Sequence, residues 1–164
     1  GQKVVIMDCD FRNPTQHRLF KLQNKGLSNC IATGKDVLEI VQSSGTPGLD
    51  ILTSGPVAPN PSEILASNRM KTVIEELKEK YDYVLIDTPP MLSMSDASIV
   101  AKQCDGAILV IQNEAVSRKD ALRAKDQLKK SGCKLLGAVL NKVDMKKEKY
   151  YNKYNSYYYY GSKE

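Results

Sequence analysis

A single histidine, His17, stands in 164 residues, which argues against a histidine-based metal centre and against a histidine-dependent triad. Cysteine is sparse too. Cys9, Cys30, Cys104 and Cys133 are widely spaced and form no CxxC pair, so reduced thiols in a cytosolic protein are the expectation, with disulfide pairing left open. Long apolar runs are also missing: Ala107–Ile111 is among the longest, far short of the roughly 20 residues that cross a bilayer. No signal peptide is read, because Gly-Gln-Lys leads directly into an apolar stretch. The formal net charge of +5 is modest. It suits an anionic partner, such as a nucleotide or a membrane surface, as well as it suits a merely soluble exterior.

What is present is ordinary globular composition, 41% hydrophobic and 26% charged. A chain of this length makes one domain and buries roughly 70% of its unfolded surface. Five short apolar runs alternate with amphipathic stretches: Val4–Met7, Leu49–Leu52, Tyr83–Ile86, Ala107–Ile111 and Leu135–Leu140. Unalternating runs of this kind are expected of strands covered on both faces, as in a parallel sheet. Helical spacing of Ile64, Leu65, Met70, Val73, Ile74 and Leu77 predicts one helix over Pro61–Lys80, with Ser62 as its cap. Further helices are predicted over Ser117–Lys130, Lys35–Val41 and Asp96–Lys102. The alternation points to a doubly wound α/β domain, with a mostly parallel sheet, helices on both faces and right-handed crossovers.

Composition changes after Asp144, which divides the chain into a folded domain (1–144) and a C-terminal tail (145–164). The tail lacks aliphatic periodicity and reads as mobile. It holds seven of the nine tyrosines: Tyr150, Tyr151, Tyr154, Tyr157, Tyr158, Tyr159 and Tyr160. Tyrosine hydroxyls at this density are candidate phosphate acceptors, although each needs help to react, since a phenol with a pKa near 10 is a poor nucleophile at neutral pH. The bland alternative is a sticky low-complexity end.

Two segments could supply that help. In Val4-Val5-Ile6-Met7-Asp8-Cys9-Asp10-Phe11-Arg12, two carboxylates follow an apolar strand at i and i+2, and point to the same side while the chain stays extended. Ligands of open α/β sheets bind beyond the carboxyl ends of the strands. In Tyr83-Val84-Leu85-Ile86-Asp87-Thr88-Pro89-Pro90, four apolar residues lead into an aspartate, the pattern of a Walker-B-type strand. Each alone is a weak signal, since many strands merely end in aspartate. Together they place Asp8 and Asp87 as neighbours around one Mg²⁺, a cation that commonly takes one or two carboxylates along with substrate phosphates. A third segment, GAVLNKVD at Gly137–Asp144, resembles the base-reading loop of guanine-nucleotide proteins, but the rest of the GTPase pattern is missing. The looser reading is Asn141 in contact with a purine base.

These segments, in this order, resemble the bacterial tyrosine kinases of capsular and exopolysaccharide biosynthesis, relatives of the MinD/ParA-type P-loop ATPases. The likeness rests on VVIMDCDFRNPTQHRLF as the Walker A′ segment, YVLIDTPP as Walker B, GAVLNKVD, LTSGPVAPNPSEILAS between the two aspartate strands, and the terminal tyrosines. The resemblance implies a protein-tyrosine autokinase using ATP and Mg²⁺. Asp8 would lie near the metal as a candidate base, Asp10 would assist, and Asp87 would hold Mg²⁺ through water, with Arg12 and Asn141 toward the nucleotide. It also implies a ring-like homo-oligomer phosphorylating tails in trans, a transmembrane activator (a polysaccharide co-polymerase), a cognate tyrosine phosphatase, no nucleic acid, and a place at the cytoplasmic face of the membrane.

One departure is plain. The family's phosphate loop, GxxxxGK[S/T], lies ahead of the Walker A′ strand and does not occur in these 164 residues. Gly45-Thr-Pro-Gly48 is no substitute, because no lysine follows it. Weak or absent ATP binding by this polypeptide alone is therefore expected, since the loop supplies the N–H cradle, the phosphate lysine and a hydroxyl on Mg²⁺. Two other readings stay open: a positioning ATPase of the MinD/ParA kind, and a non-catalytic regulator that keeps the tail.

Overall fold

A computed structural model describes residues 1–144. The seven tail tyrosines lie outside the described residues. Among the described residues there are six strands: β1 (Val4–Asp8), β2 (Gln42–Ser43), β3 (Leu49–Leu52), β4 (Tyr83–Asp87), β5 (Ala107–Gln112) and β6 (Leu135–Asn141). The helices are α1 (Gln16–Leu19), α2 (Leu27–Thr33), α3 (Pro61–Ala66), α4 (Asn68–Lys80), α5 (Asp96–Ala101) and α6 (Arg118–Lys130), with one 3-10 turn at Val37–Glu39.

The α/β alternation read from the sequence is found. β1 sits between parallel β3 and β4, and the short β2 runs antiparallel on the far side of β3. β5 and β6 pair parallel as a second ladder, with an irregularity between Ala107 and Ile108. The main core forms where the four-stranded sheet meets its helices. Val5 and Met7 of β1 and Leu52 of β3 pack with Leu65, Met70, Val73, Ile74 and Leu77. The last four repeat at i, i+3, i+4, i+7, so one stripe of α4 faces the sheet.

Three expectations are corrected. The helix predicted over Pro61–Lys80 is two helices, because Ser67 is extended (φ −69°, ψ 156°) and its Oγ accepts from the Met70 N–H at 3.1 Å, capping α4. Ser62 is not a cap. Asn60 holds that position on α3, and the Ser62 hydroxyl donates to Asp96 Oδ1 instead. The helix predicted over Lys35–Val41 contracts to the 3-10 turn, started by Asp36 accepting from Leu38 N–H at 2.8 Å.

The apolar runs also divide. β1 is well covered, whereas β4, β5 and β6 show side chains that both-face burial would have hidden, Leu85 at 51% and Val110 at 62% exposure among them. Among the described residues, β4 has β1 as its only ladder partner and β5 has only β6. What joins the two ladders is helix packing. Gln103 Nε2 donates to Leu65 O, tying the end of α5 to α3. Gln127 Nε2 of α6 donates to Met91 O and Ser98 Oγ, above a small cluster of Ala101, Leu128 and Cys133. All four cysteines are free, as expected.

Candidate functional site: two strand-end aspartates

The strand ends create the site. In the parallel register Asp8 pairs with Asp87, each the last residue of its strand, and Cys9 N–H donates to Asp87 O at 2.8 Å, extending the ladder one step further. Two carboxylates therefore leave neighbouring strands at the carboxyl edge of the sheet, where open α/β sheets bind ligands.

Asp8 is fully buried. It accepts three backbone N–H groups, from Asp10 to Oδ1 and from Thr15 and Gln16 to Oδ2, each at 3.1 Å. Burial raises the carboxyl above its ordinary value and the charge of Asp87 adds to the rise, while the three backbone bonds oppose it. Cys9, between the two acidic positions, is inert by the same logic. Burial, followed by the charge of Asp8, pushes its thiol well up, so the nucleophilic thiolate is suppressed.

Asp87 is half-buried. Its Oδ2 accepts from Gln16 Nε2 at 2.7 Å. Gln16 thus touches both carboxylates, Asp8 through its backbone and Asp87 through its side chain. The sequence reading passed over Gln16, and no local signal marks it, because the contact to Asp87 spans 71 residues.

Asp10 departs from the geometry assumed for it. β1 ends at Asp8 and the chain bends at 11–13, so the i, i+2 alternation of a strand no longer governs where Asp10 points. Its Oδ1 accepts from Arg12 N–H at 3.2 Å and Asn13 N–H at 2.9 Å, fastening the loop. Arg12 Nε donates to Asp96 Oδ2 at 3.0 Å. Asp96, fully buried in the first turn of α5, was also missed. Asn141 ends β6 in the two-stranded ladder, exposed, with its Oδ1 accepting from Lys142 N–H.

The donor set can be tested against a cation. Asp8 and Asp87 offer only oxygen, and among the described residues no group of three or more His, Cys, Asp or Glu gathers to hold a metal. Such a pair makes no closed cage. It fits Mg²⁺, which keeps several waters and completes its shell with phosphate oxygens.

Strands alternating with helices, with paired aspartates at the carboxyl ends of adjacent parallel strands, define an ATPase-type α/β domain, and residues 1–131 match the AAA domain family. The putative tyrosine-protein kinase CapB of Staphylococcus aureus is 41% identical over 162 residues, covering 98% of this chain and 69% of that protein. The crystal structure of the chimerical protein CapA2B2 superposes with a TM-score of 0.82 at 37% identity, covering 87% of this chain and 64% of that one. The septum site-determining protein MinD of Pyrococcus horikoshii, solved with Mg-ADP, gives a TM-score of 0.69 at 26% identity, over 85% of this chain and 58% of its own. This chain belongs to the bacterial tyrosine-protein kinase family, within the P-loop ATPases to which MinD also belongs, and it spans about two thirds of the length of such relatives. No described helix is long and apolar enough to cross a membrane.

Proposed function

We propose that this chain carries the cation-binding carboxylates and the phosphate acceptor of an ATP-dependent protein-tyrosine autokinase that regulates capsular or exopolysaccharide synthesis and export. The observation that carries the reading is the register pairing of Asp8 with Asp87 at the carboxyl edge of the sheet. Mg²⁺ bound with ATP would supply neutralisation of the phosphate charge. Asp87, half-buried and facing the same edge, would hold the cation through water. Asp8, raised by burial, is suited to receive the proton of an incoming tyrosine hydroxyl. Asp10 and Arg12 would shape the loop beside the phosphates, and Asn141 would meet the base.

In this reading residues 145–164 form a separate tail, and Tyr150, Tyr151, Tyr154, Tyr157, Tyr158, Tyr159 and Tyr160 are the acceptors, phosphorylated between subunits of a ring-like homo-oligomer. A transmembrane activator would bring the kinase to the inner face of the membrane, and a cognate phosphatase would reset the tail. The names of CapB and CapA2B2 support a capsule-related kinase role.

Phosphotyrosine mass spectrometry on the protein isolated from its own cells tests the proposal. Modified tail tyrosines, lost in Asp87→Asn, are expected. A tail that is never phosphorylated would overturn it and favour a positioning ATPase like MinD, whose fold this chain shares.

A further inference from the structure

Gln16 is the one side chain that the described hydrogen bonds tie directly to Asp87, and its own main chain is tied to Asp8. It is the first residue of α1, so it is fixed by the loop that the two Asp8 oxygens organise. The carboxamide carries two N–H donors and one carbonyl acceptor. With Nε2 against Asp87 Oδ2 at 2.7 Å, it presents positive N–H dipoles to a carboxylate that has a second carboxylate as its strand neighbour. That is the electrostatic work a cation would do there. Neighbouring carboxylates repel, and a donor bonded to one of them offsets part of the repulsion.

We infer that Gln16 is a positioning residue for the cation site: it holds Asp87 while the site is free of metal and releases it when a divalent cation arrives. The inference rests on the reading of Asp8 and Asp87 as the cation carboxylates. The amide already occupies Asp87 Oδ2, so a cation, or a water of its shell, that takes the same oxygen does so in competition with the Nε2–H bond. Cation binding is opposed by the strength of that bond, and Gln16 is freed to turn its carbonyl toward a bound water or a substrate hydroxyl. Asp8 keeps its backbone donors throughout, because those come from the main chain of the loop.

Titration of the 164-residue chain with MgCl₂, followed by NMR of side-chain amides, tests this. Wild type should show the Gln16 NH₂ resonances moving toward the water-exposed position as Mg²⁺ saturates. Gln16→Met keeps the length of the side chain and removes the donor, and it should bind Mg²⁺ about threefold or more tightly, in keeping with the loss of one competing hydrogen bond. Gln16→Glu, which exchanges the donor for a third oxygen ligand, should bind more tightly again. Mg²⁺ binding that leaves the Gln16 amide unmoved, or unchanged or weaker affinity in Gln16→Met, overturns the inference while leaving the cation site standing. No Mg²⁺-dependent shift near Asp8 and Asp87 in any of the three proteins, with or without added ATP, sinks the cation reading and this inference with it.

Discussion

The Arg12 guanidinium reaches a carboxylate 84 residues away: its Nε donates to Asp96 Oδ2 at 3.0 Å, with Asp96 fully buried and the Arg12 side chain 41% exposed. Ser62 Oγ donates to the other oxygen, Asp96 Oδ1, at 2.7 Å. One buried carboxylate therefore joins the loop after β1, the first turn of α3 and the first turn of α5. The two partners are unequal, because one neutralises the charge and the other only bonds to it.

Arg12→Ala should destabilise the fold by about 2 kcal/mol, the range for leaving a buried charged group short of its partner. Ser62→Ala should cost about 1 kcal/mol, since the charge stays compensated. Urea unfolding followed by circular dichroism measures both. Equal costs, or an Arg12→Ala midpoint at the wild-type value, would show that Asp96 does not depend on the guanidinium.

Much of this was open to reading in one dimension, and the division follows physical range. Strand identity is local, so Val4–Met7 and Tyr83–Ile86 were read as strands, and the aspartate ending each was read as a ligand. Their adjacency, expected from the two motifs taken together, is not local. Strand order depends on which loops close, and the pairing of Asp8 with Asp87 spans 79 residues of chain. The break at Ser67 was hidden because apolar spacing runs through it on both sides, and the cap bond to Met70 overrides that spacing. Gln16 and Asp96 carry no local mark, since their partners are distant. The apolar runs of β4, β5 and β6 suggest cover on both faces, whereas among the described residues β5 is covered on alternate positions and β6 is exposed from Leu136 to Asn141.

That partial cover has a consequence. Leu85 on β4 and Val110 on β5 are more than half exposed, and each strand has a single ladder partner among the described residues. Apolar surface beside open strand edges favours association. The 164-residue chain should self-associate with rising concentration in sedimentation equilibrium, and Leu85→Lys with Val110→Lys should shift it toward monomer without lowering the melting temperature. A chain monomeric at every concentration would contradict this.

Tyr81 offers a pH-dependent prediction away from the site. Its hydroxyl donates to Asp50 Oδ2 at 2.9 Å. Burial first, and then this bond and the Asp50 charge, push the phenol up to about 12, against about 10 for an unfolded tyrosine. The folded state therefore holds the proton more tightly than the unfolded state. Its contribution is complete below about pH 10 and is lost as pH rises toward about 12. Wild type should lose its stability advantage over Tyr81→Phe across that interval, measured by urea midpoints at about pH 9 and about pH 11.5. Parallel losses in the two proteins would refute the assignment.

Asp8→Asn should not be a silent replacement. Asp8 Oδ2 accepts two N–H groups and Oδ1 a third. An amide in its place must turn its NH₂ toward at least one of those donors, leaving a buried N–H without an acceptor at a cost of about 1–3 kcal/mol. Asp87→Asn meets one side-chain donor at half-buried depth, and a flip of the new amide restores that bond. Thermal unfolding should therefore separate the pair, with Asp8→Asn melting lower. If both melt with wild type, the backbone donors around Asp8 are not limiting, and loss of phosphorylation in Asp8→Asn becomes as clean a report on chemistry as loss in Asp87→Asn.

Nucleotide affinity is the sharpest test of how the site divides its labour. The paired aspartates offer carboxylate oxygens and no donor for phosphate oxygens, and the GxxxxGK[S/T] loop that would supply backbone N–H groups and a lysine does not occur in the 164 residues. Phosphate recognition of that kind rests on several N–H donors acting together at a helix terminus. Here the N–H groups of Thr15 and Gln16, at the start of α1, are already committed to Asp8. Calorimetry of this chain with Mg-ATP should accordingly give a dissociation constant of about 1 mM or weaker, roughly −4 kcal/mol of binding. A micromolar constant would mean that residues 1–144 hold a phosphate cradle of their own, and the donors of the loop after β1 would then have to exchange Asp8 for phosphate on binding.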